Sequence, residues 1–283
     1  MTVQRQVINL LDHPGLRPVL SCLATNYARW RSGLDVEIYY EGAWGRRMGE
    51  YCLAESFTFQ WTAAKIGGWK AELRDLLDDY RDWWFYKYRP KERDVILNIG
   101  AGIGDDTILF SRSVGKEGKV VSVEAHPETF RLLQKNCLDN LLTNTVPVHC
   151  ALMDKTSVVQ IYDQTRYEAN TVRSSNGPPT SSHTVRACTL DELCEQQEVH
   201  HVDFLKMNIE GAERFAIQGM QKMLPHISHV CIACHDFIGE HDDFFRTKSM
   251  VAGLLQANGF EVTTRQQHPY PWVRDHVHGV RKT

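Results

Sequence analysis

The feature that most constrains this chain is the stretch DVILNIGAGIGDD at residues 94–106. Its first part, Val95–Ile99, is an apolar run between a charged residue and a glycine, which is typical of a strand buried on both faces. Glycines then occupy alternate positions, and two aspartates lead into a second apolar segment. The pattern predicts a strand, a tight glycine turn and a helix start, where the backbone can come close to a ligand.

An acidic residue follows the glycine turn, at the end of the next predicted strand. A second strand is predicted for residues 119–123, and it ends in Glu124, twenty residues after Gly104. An acid in that place can accept hydrogen bonds from ribose hydroxyls. A glycine repeat alone would indicate only a tight turn, but the combination predicts a cofactor that contains a nucleoside.

The spacing of the glycines bears on which cofactor this is. Dinucleotide-binding turns have the spacing G-x-G-x-x-G, made for a pyrophosphate at a helix N-terminus, whereas this chain has G-x-G-x-G. Asp105 and Asp106 stand where the pyrophosphate would bind. Their carboxylates would repel a diphosphate but would tolerate a ligand that carries an ammonium and a sulfonium group.

Two motifs carry a resemblance to a known family. The glycine stretch resembles motif I of the class I S-adenosylmethionine-dependent methyltransferases. Residues 202–213, VDFLKMNIEGAE, are similar to the K-x-D-x-E-G-x-E signature of the FkbM-type methyltransferases, which are mostly O-methylating enzymes. Asn98 and Asn208 stand where that family usually has an acid and an aspartate. An asparagine still accepts a hydrogen bond, but it cannot act as a base.

The resemblance implies an α/β fold of the class I methyltransferase (Rossmann-like) type. Such a fold has a seven-stranded, mostly parallel sheet with helices on both faces, in the strand order 3-2-1-4-5-7-6 with an antiparallel last strand. The predicted strands and helices do alternate along the chain. We expect residues 94–283 to form the S-adenosylmethionine-binding domain. Residues 1–93 would add an N-terminal helical and aromatic segment that covers the active site.

Cofactor contacts are expected from the glycine turn, from the strand ends beside it and, by analogy with the fold, from the third strand. The candidates are Asn98, Gly100, Ala101, Gly102, Gly104, Asp105, Asp106, Thr107, Glu124, Ala125, Ala151, Leu152 and Asn208. Glu55 and Ser56, within the aromatic-rich residues 44–69, are two further candidates. The aromatic side chains of that stretch favour a local core, with contact to the methyl acceptor as the alternative.

The candidate catalytic residues end the fourth and fifth predicted strands. Methyl transfer requires donor and acceptor to be held close, and often requires removal of the acceptor's proton. Asn208, Glu210, His235 and Asp236 are placed for this task. We predict that His235 is the general base, because imidazole titrates near neutral pH, and that Asp236 or Glu210 orients it or the acceptor. Glu213 is equally compatible with stabilising a helix start.

No metal site is predicted. Mg²⁺ held by Asp236 and Asn208 stays open but is not favoured, because a lone carboxylate binds this ion weakly. Cys231, Cys234 and His235 form the C-x-x-C-H pattern of c-type haem attachment, but they lie in an apolar strand. No second Cys/His pair stands at zinc-finger spacing. The histidines His268, His276 and His278 are interpreted as one face of a strand.

Composition and net charge limit the kinds of binding partner, and the location, that are expected for this chain. A net charge of −3 without a basic run argues against nucleic acid as a partner. No apolar stretch reaches membrane-spanning length, and residues 1–11 lack the basic start and apolar core of a signal peptide. We therefore expect a cytoplasmic protein with reduced cysteines, no membrane partner and a small-molecule hydroxyl acceptor. A homo-oligomer is left open.

The favoured function is that of an S-adenosylmethionine-dependent O-methyltransferase acting on a hydroxyl of a small molecule, such as a polyketide, a sugar or a similar natural product. A cofactor-binding protein without catalysis is the alternative, because asparagines replace both expected acids. An NAD-dependent oxidoreductase is a third reading. The glycine spacing, the aspartates and the lack of a Tyr-x-x-x-Lys pair disfavour it.

Overall fold

The computed structural model describes residues 12–59, 63–74, 78–163, 171–172, 181–239 and 242–282. Its α-helices are α1 Arg17–Ser32, α2 Ala63–Arg74, α3 Tyr80–Trp84, α4 Asp105–Val114, α5 Pro127–Asp139, α6 Leu190–Gln196, α7 Glu213–Ala216, α8 Lys248–Ala257 and α9 Pro271–Arg274. Its strands are β1 Val36–Tyr40, β2 Trp44–Met48, β3 Tyr51–Ser56, β4 Val95–Ile99, β5 Lys119–Glu124, β6 Thr145–His149, β7 Ala151–Leu152, β8 Ser157–Tyr162, β9 Ser182–Cys188, β10 Val202–Met207, β11 Ile227–Ala233, β12 Phe260–Thr264 and β13 His276–Arg281.

The central sheet has seven strands in the spatial order β12-β13-β11-β10-β4-β5-β6. Neighbouring strands from β6 to β11 run parallel, whereas β13 is antiparallel to both β11 and β12. Numbered along the chain, these seven strands read 3-2-1-4-5-7-6 across the sheet. The class I methyltransferase fold and its strand order, implied by the resemblance, are therefore confirmed.

The middle of the sheet is apolar because helices cover both of its faces. In β4 and β10 nearly every residue is buried, in agreement with the unbroken apolar runs of the sequence. On one face, Trp84 and Phe85 at the end of α3 pack with Phe110 of α4 and Phe204 of β10. On the other face, α6 and α8 pack against β10 and β11. The parallel strands thus end together at one edge of a rigid layer.

The N-terminal residues form their own antiparallel sheet, β1-β2-β3, which packs on the central domain. Trp44 and Trp69 are fully buried in the core between this sheet, α1 and α2. The Asn136 side chain of α5 accepts a hydrogen bond from the Ala54 N–H (2.6 Å) and donates one to the Ala54 carbonyl (3.0 Å). These contacts hold β3 against the start of the central domain.

A third, small sheet, β7-β9-β8, flanks the third strand of the central sheet. The apolar residues from Val146 to Leu152 predict one third strand, but β6 ends at His149, and Ala151 and Leu152 pair with β9 instead. The alternation of Val158, Gln160 and Tyr162 predicts an accessory strand, which is confirmed as β8. Residues 170–183 are polar and rich in Pro, Gly and Ser, which predicts a surface loop, with a substrate lid as the alternative; this segment lies mostly outside the described residues.

Several predicted boundaries shift in the structure. The spacing of the apolar residues over 73–84 predicts one amphipathic helix, but the structure has the end of α2 and then α3, with residues 75–77 outside the described residues. The sequence also predicts a last strand from Trp272 to Val280, but this strand begins at His276, and Trp272 lies in the short helix α9. All eight cysteines are free thiols, and all but Cys22 are buried. Among the helices that the structure describes, none is long and apolar enough to cross a membrane.

Candidate active site

A cleft of about 690 Å³ opens at the carboxyl edge of the parallel strands, where ligands bind in folds of this type. Two groups of residues line it. The glycine half comprises the turn after β4, the end of β5 and residues 150–152. The histidine half comprises α3, the loop after β10 (Asn208, Ile209, Glu210 and Ala212), the end of β11 and the residues after it (Ala233, Cys234, His235, Phe237 and Ile238), Trp272 and His276.

The turn after β4 leaves no room for side chains. Gly100 has a φ of 74°, a backbone conformation that favours glycine. A Cβ atom on Gly100 would lie 1.9 Å from the backbone oxygen of Asn208. The N–H groups of Gly100 and Ala101 both donate to the Val123 carbonyl, at 2.9 Å each. The turn therefore packs between the residue that follows β10 and the end of β5, and its other side faces the cleft.

Glu124 stands at the end of β5 and contacts the same turn. Its carboxylate accepts hydrogen bonds from the N–H groups of Gly102 (3.0 Å) and His126 (2.8 Å). Burial raises the pKa of Glu124 to about 7, although these two N–H donors oppose the shift. A carboxylate has about four acceptor positions, so this group can accept further hydrogen bonds from a ligand that bears hydroxyls.

A buried lysine supports the glycine half from beneath. The Lys206 ammonium, on β10, donates to the Gly100 carbonyl (2.8 Å) and pairs with Asp106 (2.9 Å). Asn98 donates from its amide nitrogen to Asp106 (2.7 Å) and to the Thr107 hydroxyl (2.9 Å). Asp106 is thus neutralised from inside the protein. Asn98 and Thr107, both fully buried, act by holding the turn and α4 in place.

Asp105 is the second carboxylate at the start of α4. It accepts a hydrogen bond from the Tyr80 hydroxyl (2.7 Å) and lines the cleft. Burial, and next the neighbouring Asp106, raise the pKa of Asp105 to about 6. A ligand with a positive charge in this half would relieve the repulsion that raises this pKa.

The histidine half is built around an ionic group of three residues. His235 Nε2 lies 3.0 Å from Glu210 Oε1, and His235 Nδ1 lies 3.5 Å from Glu213 Oε1. Glu213 is fully buried and accepts a hydrogen bond from the Ile209 N–H (3.0 Å), which fixes the loop after β10. Glu210 has a φ of 53°, a strained conformation for this residue type that the surrounding contacts must hold.

The two glutamates decide the charge of His235. Burial acts to lower the pKa of His235, but the charges and hydrogen bonds of Glu210 and Glu213 outweigh it and raise the pKa to about 10. His235 is therefore an imidazolium at neutral pH. In that state it donates hydrogen bonds and cannot accept a proton, which bears directly on the general-base role predicted for it.

An aromatic wall borders this ionic group and is formed by Tyr80, Trp83, Trp84 and Trp272. The ring of Trp83 meets that of Trp272 edge to face, with centroids 6.1 Å apart. Arg265, which follows β12, binds Asp82 through two nitrogens at 2.8 and 3.0 Å. This forked ion pair ties α3 to the C-terminal strands and keeps the wall in position.

Most of the predicted cofactor residues line the cleft. The predicted residues that lie in the lining are Gly100, Ala101, Gly102, Asp105, Asp106, Glu124, Ala125, Ala151, Leu152 and Asn208. Asn208 also presents a buried side-chain oxygen that has no hydrogen-bond partner in the part of the chain that is described. Gly104 begins α4 behind the lining, where a Cβ atom would lie 2.6 Å from Leu133.

Three other predicted residues lie outside the cleft lining. Glu55 pairs with Arg46 (3.3 Å) and Lys65 (3.5 Å), and the Ser56 hydroxyl accepts a hydrogen bond from the Thr58 N–H (3.2 Å). The adjacent Ala54 packs against the glycine turn, so β3 supports that turn from outside.

Asp236 is the third residue outside the lining. Its carboxylate accepts hydrogen bonds from the N–H groups of Thr247 (2.9 Å) and Lys248 (3.0 Å). It therefore caps the start of α8, and the catalytic role of Asp236 stays a prediction. The same contacts occupy one oxygen of the only carboxylate that the Mg²⁺ arrangement, which was left open, would have used.

Sequence reasoning missed several lining residues, namely Lys206, Tyr80, Trp83, Trp84, Trp272 and His276. Lys206 carried a detectable signal, because a lysine within the buried strand VDFLKM needs an internal partner. The aromatic residues carried none, because their position depends on the contact between Asp82 and Arg265, which are 183 residues apart.

Comparison with known proteins gives the family. The family described as "Methyltransferase FkbM domain" matches residues 98–262. The hexuronic acid methyltransferase AglP of Haloferax volcanii is 24% identical over 194 residues, which are 67% of this chain and 74% of that protein. The tRNA (adenine(58)-N(1))-methyltransferase catalytic subunit TRM61 of Yarrowia lipolytica is 38% identical over 63 residues, 22% of this chain and 16% of that protein.

The solved structures that are similar to this chain have low sequence identities and low TM-scores. Fibrillarin of Aeropyrum pernix, in complex with S-adenosyl-L-methionine, is 18% identical with a TM-score of 0.41, over 67% of this chain and 66% of that chain. A putative rRNA-methylase of Clostridium thermocellum is 15% identical with a TM-score of 0.46, over 72% of this chain and 93% of that chain. The fold assignment therefore rests on the strand order of the central sheet.

Proposed function

We propose that this chain, which belongs to the FkbM methyltransferase family and is an S-adenosylmethionine-dependent methyltransferase, methylates a hydroxyl group of a small molecule, preferably a sugar. The observation that carries the proposal is the composition of the cleft at the carboxyl edge of the parallel strands. Its glycine half has negatively charged carboxylates that can accept hydrogen bonds from hydroxyls, and its turn has glycines in place of bulky side chains. Its histidine half has an ionic pair beside an aromatic wall.

The residues of the glycine half fit the family's cofactor. The turn at Gly100 packs directly against the Asn208 backbone and presents no side chain there, and Glu124 offers acceptor positions for two ribose hydroxyls. Asp105 offers negative charge to an ammonium or sulfonium group. S-adenosylmethionine supplies an electrophilic methyl group when it is bound. The task of the chain is to hold that group still and exclude water.

The histidine half supports a ring-shaped acceptor with both an apolar face and hydroxyls. The exposed edge of Trp272 and the side chain of Trp83 offer flat apolar area next to the charged Glu210 and His235. A sugar has that combination of surfaces. The name of AglP, a hexuronic acid methyltransferase, points to the same class of compound. In this scheme residues 1–93 contribute α3 to the acceptor site, while their buried tryptophans support it from outside.

We assign the uptake of the acceptor's proton to the Glu210–His235 pair. Glu210 is a carboxylate at the cleft surface and can accept the proton, while the His235 imidazolium holds Glu210 in its strained conformation. The assignment of His235 itself as the base stays a prediction, and the two assignments differ in how turnover depends on pH. No Mg²⁺ is needed in either, so added Mg²⁺ should not change turnover.

The proposal is tested in two steps on the full chain. Calorimetric titration should show binding of S-adenosylmethionine and none of NAD. Methyl transfer is then measured with hexuronic acids, neutral hexoses and flat phenols as acceptors. Methylated sugar at a position bearing a hydroxyl would support the proposal. Transfer only to phenols would overturn the preference for a sugar. Binding of S-adenosylmethionine with transfer to no acceptor would overturn the proposal and would favour a binding protein without catalysis.

The remaining expectations stay proposals. We expect a small-molecule acceptor rather than nucleic acid, which the net charge of −3 supports. Methylation of a tRNA or rRNA fragment in the same assay would contradict this. Cytoplasmic location and the oligomeric state are to be measured directly, by fractionation and by light scattering.

A further inference from the structure

Three side chains that can bind a metal ion, those of Cys231, His276 and His278, lie close together on one face of the central sheet. Cys231 of β11 lies directly opposite His278 of β13, and His276 lies two residues before His278 on the same face. One ligand atom from each of the three residues lies within 4.8 Å of the other two. The sequence motif C-x-x-C-H had drawn attention to Cys231, but its neighbours in space are the two C-terminal histidines.

These donors are buried and poorly satisfied. All three side chains are almost completely inaccessible to solvent. The nearest polar atoms to the Cys231 sulfur are the Trp83 carbonyl oxygen at 3.8 Å and His276 Nδ1 at 3.9 Å. Within the described residues, His278 Nε2 is buried without a hydrogen-bond partner. A buried polar atom without a partner costs about 1–3 kcal/mol, so a partner is expected at this position.

We propose that Cys231, His276 and His278 bind a Zn²⁺ ion with one thiolate and two imidazole ligands. One thiolate and two imidazoles form a ligand set that zinc takes readily, with the fourth position left for water. On binding, the Cys231 thiol releases its proton to solvent and its sulfur bonds to the ion, while both histidines bind through neutral nitrogens. The ligand atoms must approach by a few tenths of an ångström to about 1 Å to reach zinc-bond distances.

The surroundings suit such an ion. The Trp84 ring stacks on His276 with centroids 4.9 Å apart. The backbone of Trp83 also hydrogen-bonds to His276, as carbonyl partners commonly do for metal-binding histidines.

Two of the nearby positive charges are paired with carboxylates. Lys206 is paired with Asp106, and Arg265 is paired with Asp82. His276 lines the cleft, so an ion has a route to the site from solvent. The ion would link β11 and β13 next to the aromatic wall, without contact to the Glu210–His235 pair in this scheme.

A second His/Asp cluster shows what a satisfied arrangement looks like. His126 Nε2 and His183 Nε2 lie 2.9 and 3.1 Å from the same oxygen of Asp163. The His126 ring accepts a hydrogen bond at Nδ1 from the Thr129 N–H (3.3 Å), so its proton is on Nε2 and points to Asp163. The polar atoms of this cluster are therefore paired with one another, whereas His278 Nε2 has no hydrogen-bond partner within the described residues.

The test uses Co²⁺ as a spectroscopic substitute for Zn²⁺. The full chain is stripped of metal with a chelator and titrated with Co²⁺, and absorption is followed in the near ultraviolet and visible ranges. We expect one Co²⁺ per chain, a thiolate-to-cobalt charge-transfer band and tetrahedral visible bands. One equivalent of Zn²⁺ should abolish them and raise the melting temperature.

The matched control is Cys234, which is as buried as Cys231 but belongs to the core on the opposite face of the sheet. Cys231→Ser should lose the charge-transfer band, whereas Cys234→Ser should keep it. His278→Asn, which keeps a polar side chain, provides a second variant and should lose the tetrahedral bands. Absence of Co²⁺ and Zn²⁺ binding to the wild-type chain would overturn the proposal. So would binding without the thiolate band, or a band that survives in Cys231→Ser.

Discussion

The two halves of the cleft differ in how the chain builds them. The lining of the glycine half comes mainly from residues 99–125, one continuous strand-turn-helix-strand unit, with residues 150–152 added. The histidine half combines α3, the loop after β10, the end of β11, α9 and the start of β13. A continuous unit can carry a recognisable motif, whereas a site from four separated segments depends on the completed fold.

The halves also differ in how their charges are balanced. In the glycine half, Lys206 neutralises Asp106 from the protein interior, and Glu124 and Asp105 keep capacity for a ligand. In the histidine half, two glutamates share one imidazolium, which leaves a net negative charge beside an apolar wall. The first arrangement suits a charged ligand held in one position, and the second suits a neutral hydroxyl that must lose a proton.

The largest effect is expected where the two halves touch. Gly100→Ala would place a methyl group against the Asn208 carbonyl, so the turn and the loop after β10 must separate. We expect a loss of about 3 kcal/mol or more in the free energy of unfolding, measured by urea denaturation. Gly42→Ala is the control, because Gly42 has a φ of 76° but nothing within 4 Å, and it should cost only about 1–2 kcal/mol. Equal losses would contradict the close contact between the halves.

Changes to the ionic pair should affect only the histidine half. His235→Ala and Glu210→Gln are each expected to reduce kcat by about 10²–10⁴-fold, the range for a lost proton acceptor or its partner. The dissociation constant of S-adenosylmethionine should stay the same in calorimetry. The exposed Glu195 on α6 provides a control as Glu195→Gln, with full activity. Loss of cofactor affinity in the two site variants would mean that the halves are not separate.

The pH profile of kcat separates the two proton acceptors. If neutral His235 is the base, kcat should rise about tenfold per pH unit from neutral pH until the pKa of about 10 is reached. If Glu210 accepts the proton, the profile should be flat across neutral pH, and it should fall in alkali as His235 loses its charge. The profile of the wild-type enzyme at saturating substrates is sufficient to decide.

The matching change in the glycine half is Glu124→Ala. It removes the acceptor at the end of β5 and should weaken the binding of S-adenosylmethionine by about 1–3 kcal/mol, the usual loss for hydrogen bonds to a charged group. The KM of the acceptor should not change. Glu128→Ala, in the exposed first turn of α5, should leave both constants unaltered. An unchanged affinity in Glu124→Ala would remove Glu124 from the cofactor site.

The smallest effect is expected at the aromatic wall. Trp272→Ala should raise the KM of the acceptor by a few-fold to about tenfold, which corresponds to the 0.5–1.5 kcal/mol of a specific aromatic contact. Affinity for S-adenosylmethionine should be unaffected. Trp30→Ala is the control, because Trp30 is 77% exposed on α1 and lies outside the cleft. A larger effect on cofactor affinity than on KM would assign the wall to the glycine half.

The same comparison explains what could be predicted from sequence. The glycine turn, Glu124 and the strand order follow from local patterns and from a resemblance, and the structure contains all of them. The capping contacts of Asp236 could not be predicted, because a strand-end acid and a helix-capping acid look alike until the start of α8 is located. Lys206 has its partners Gly100 and Asp106 a hundred or more residues away in the sequence, which no local pattern contains.

The position of β13 between β11 and β12 affects the order of events during synthesis. A ribosome makes the glycine turn, β5 and β10 well before it reaches β13, and domains generally begin to fold while they are made. The nascent protein can therefore complete its glycine half before β13 has been made and has paired with β11. Trp272 and His276 arrive last, so chains released early would bind the methyl donor without an acceptor site.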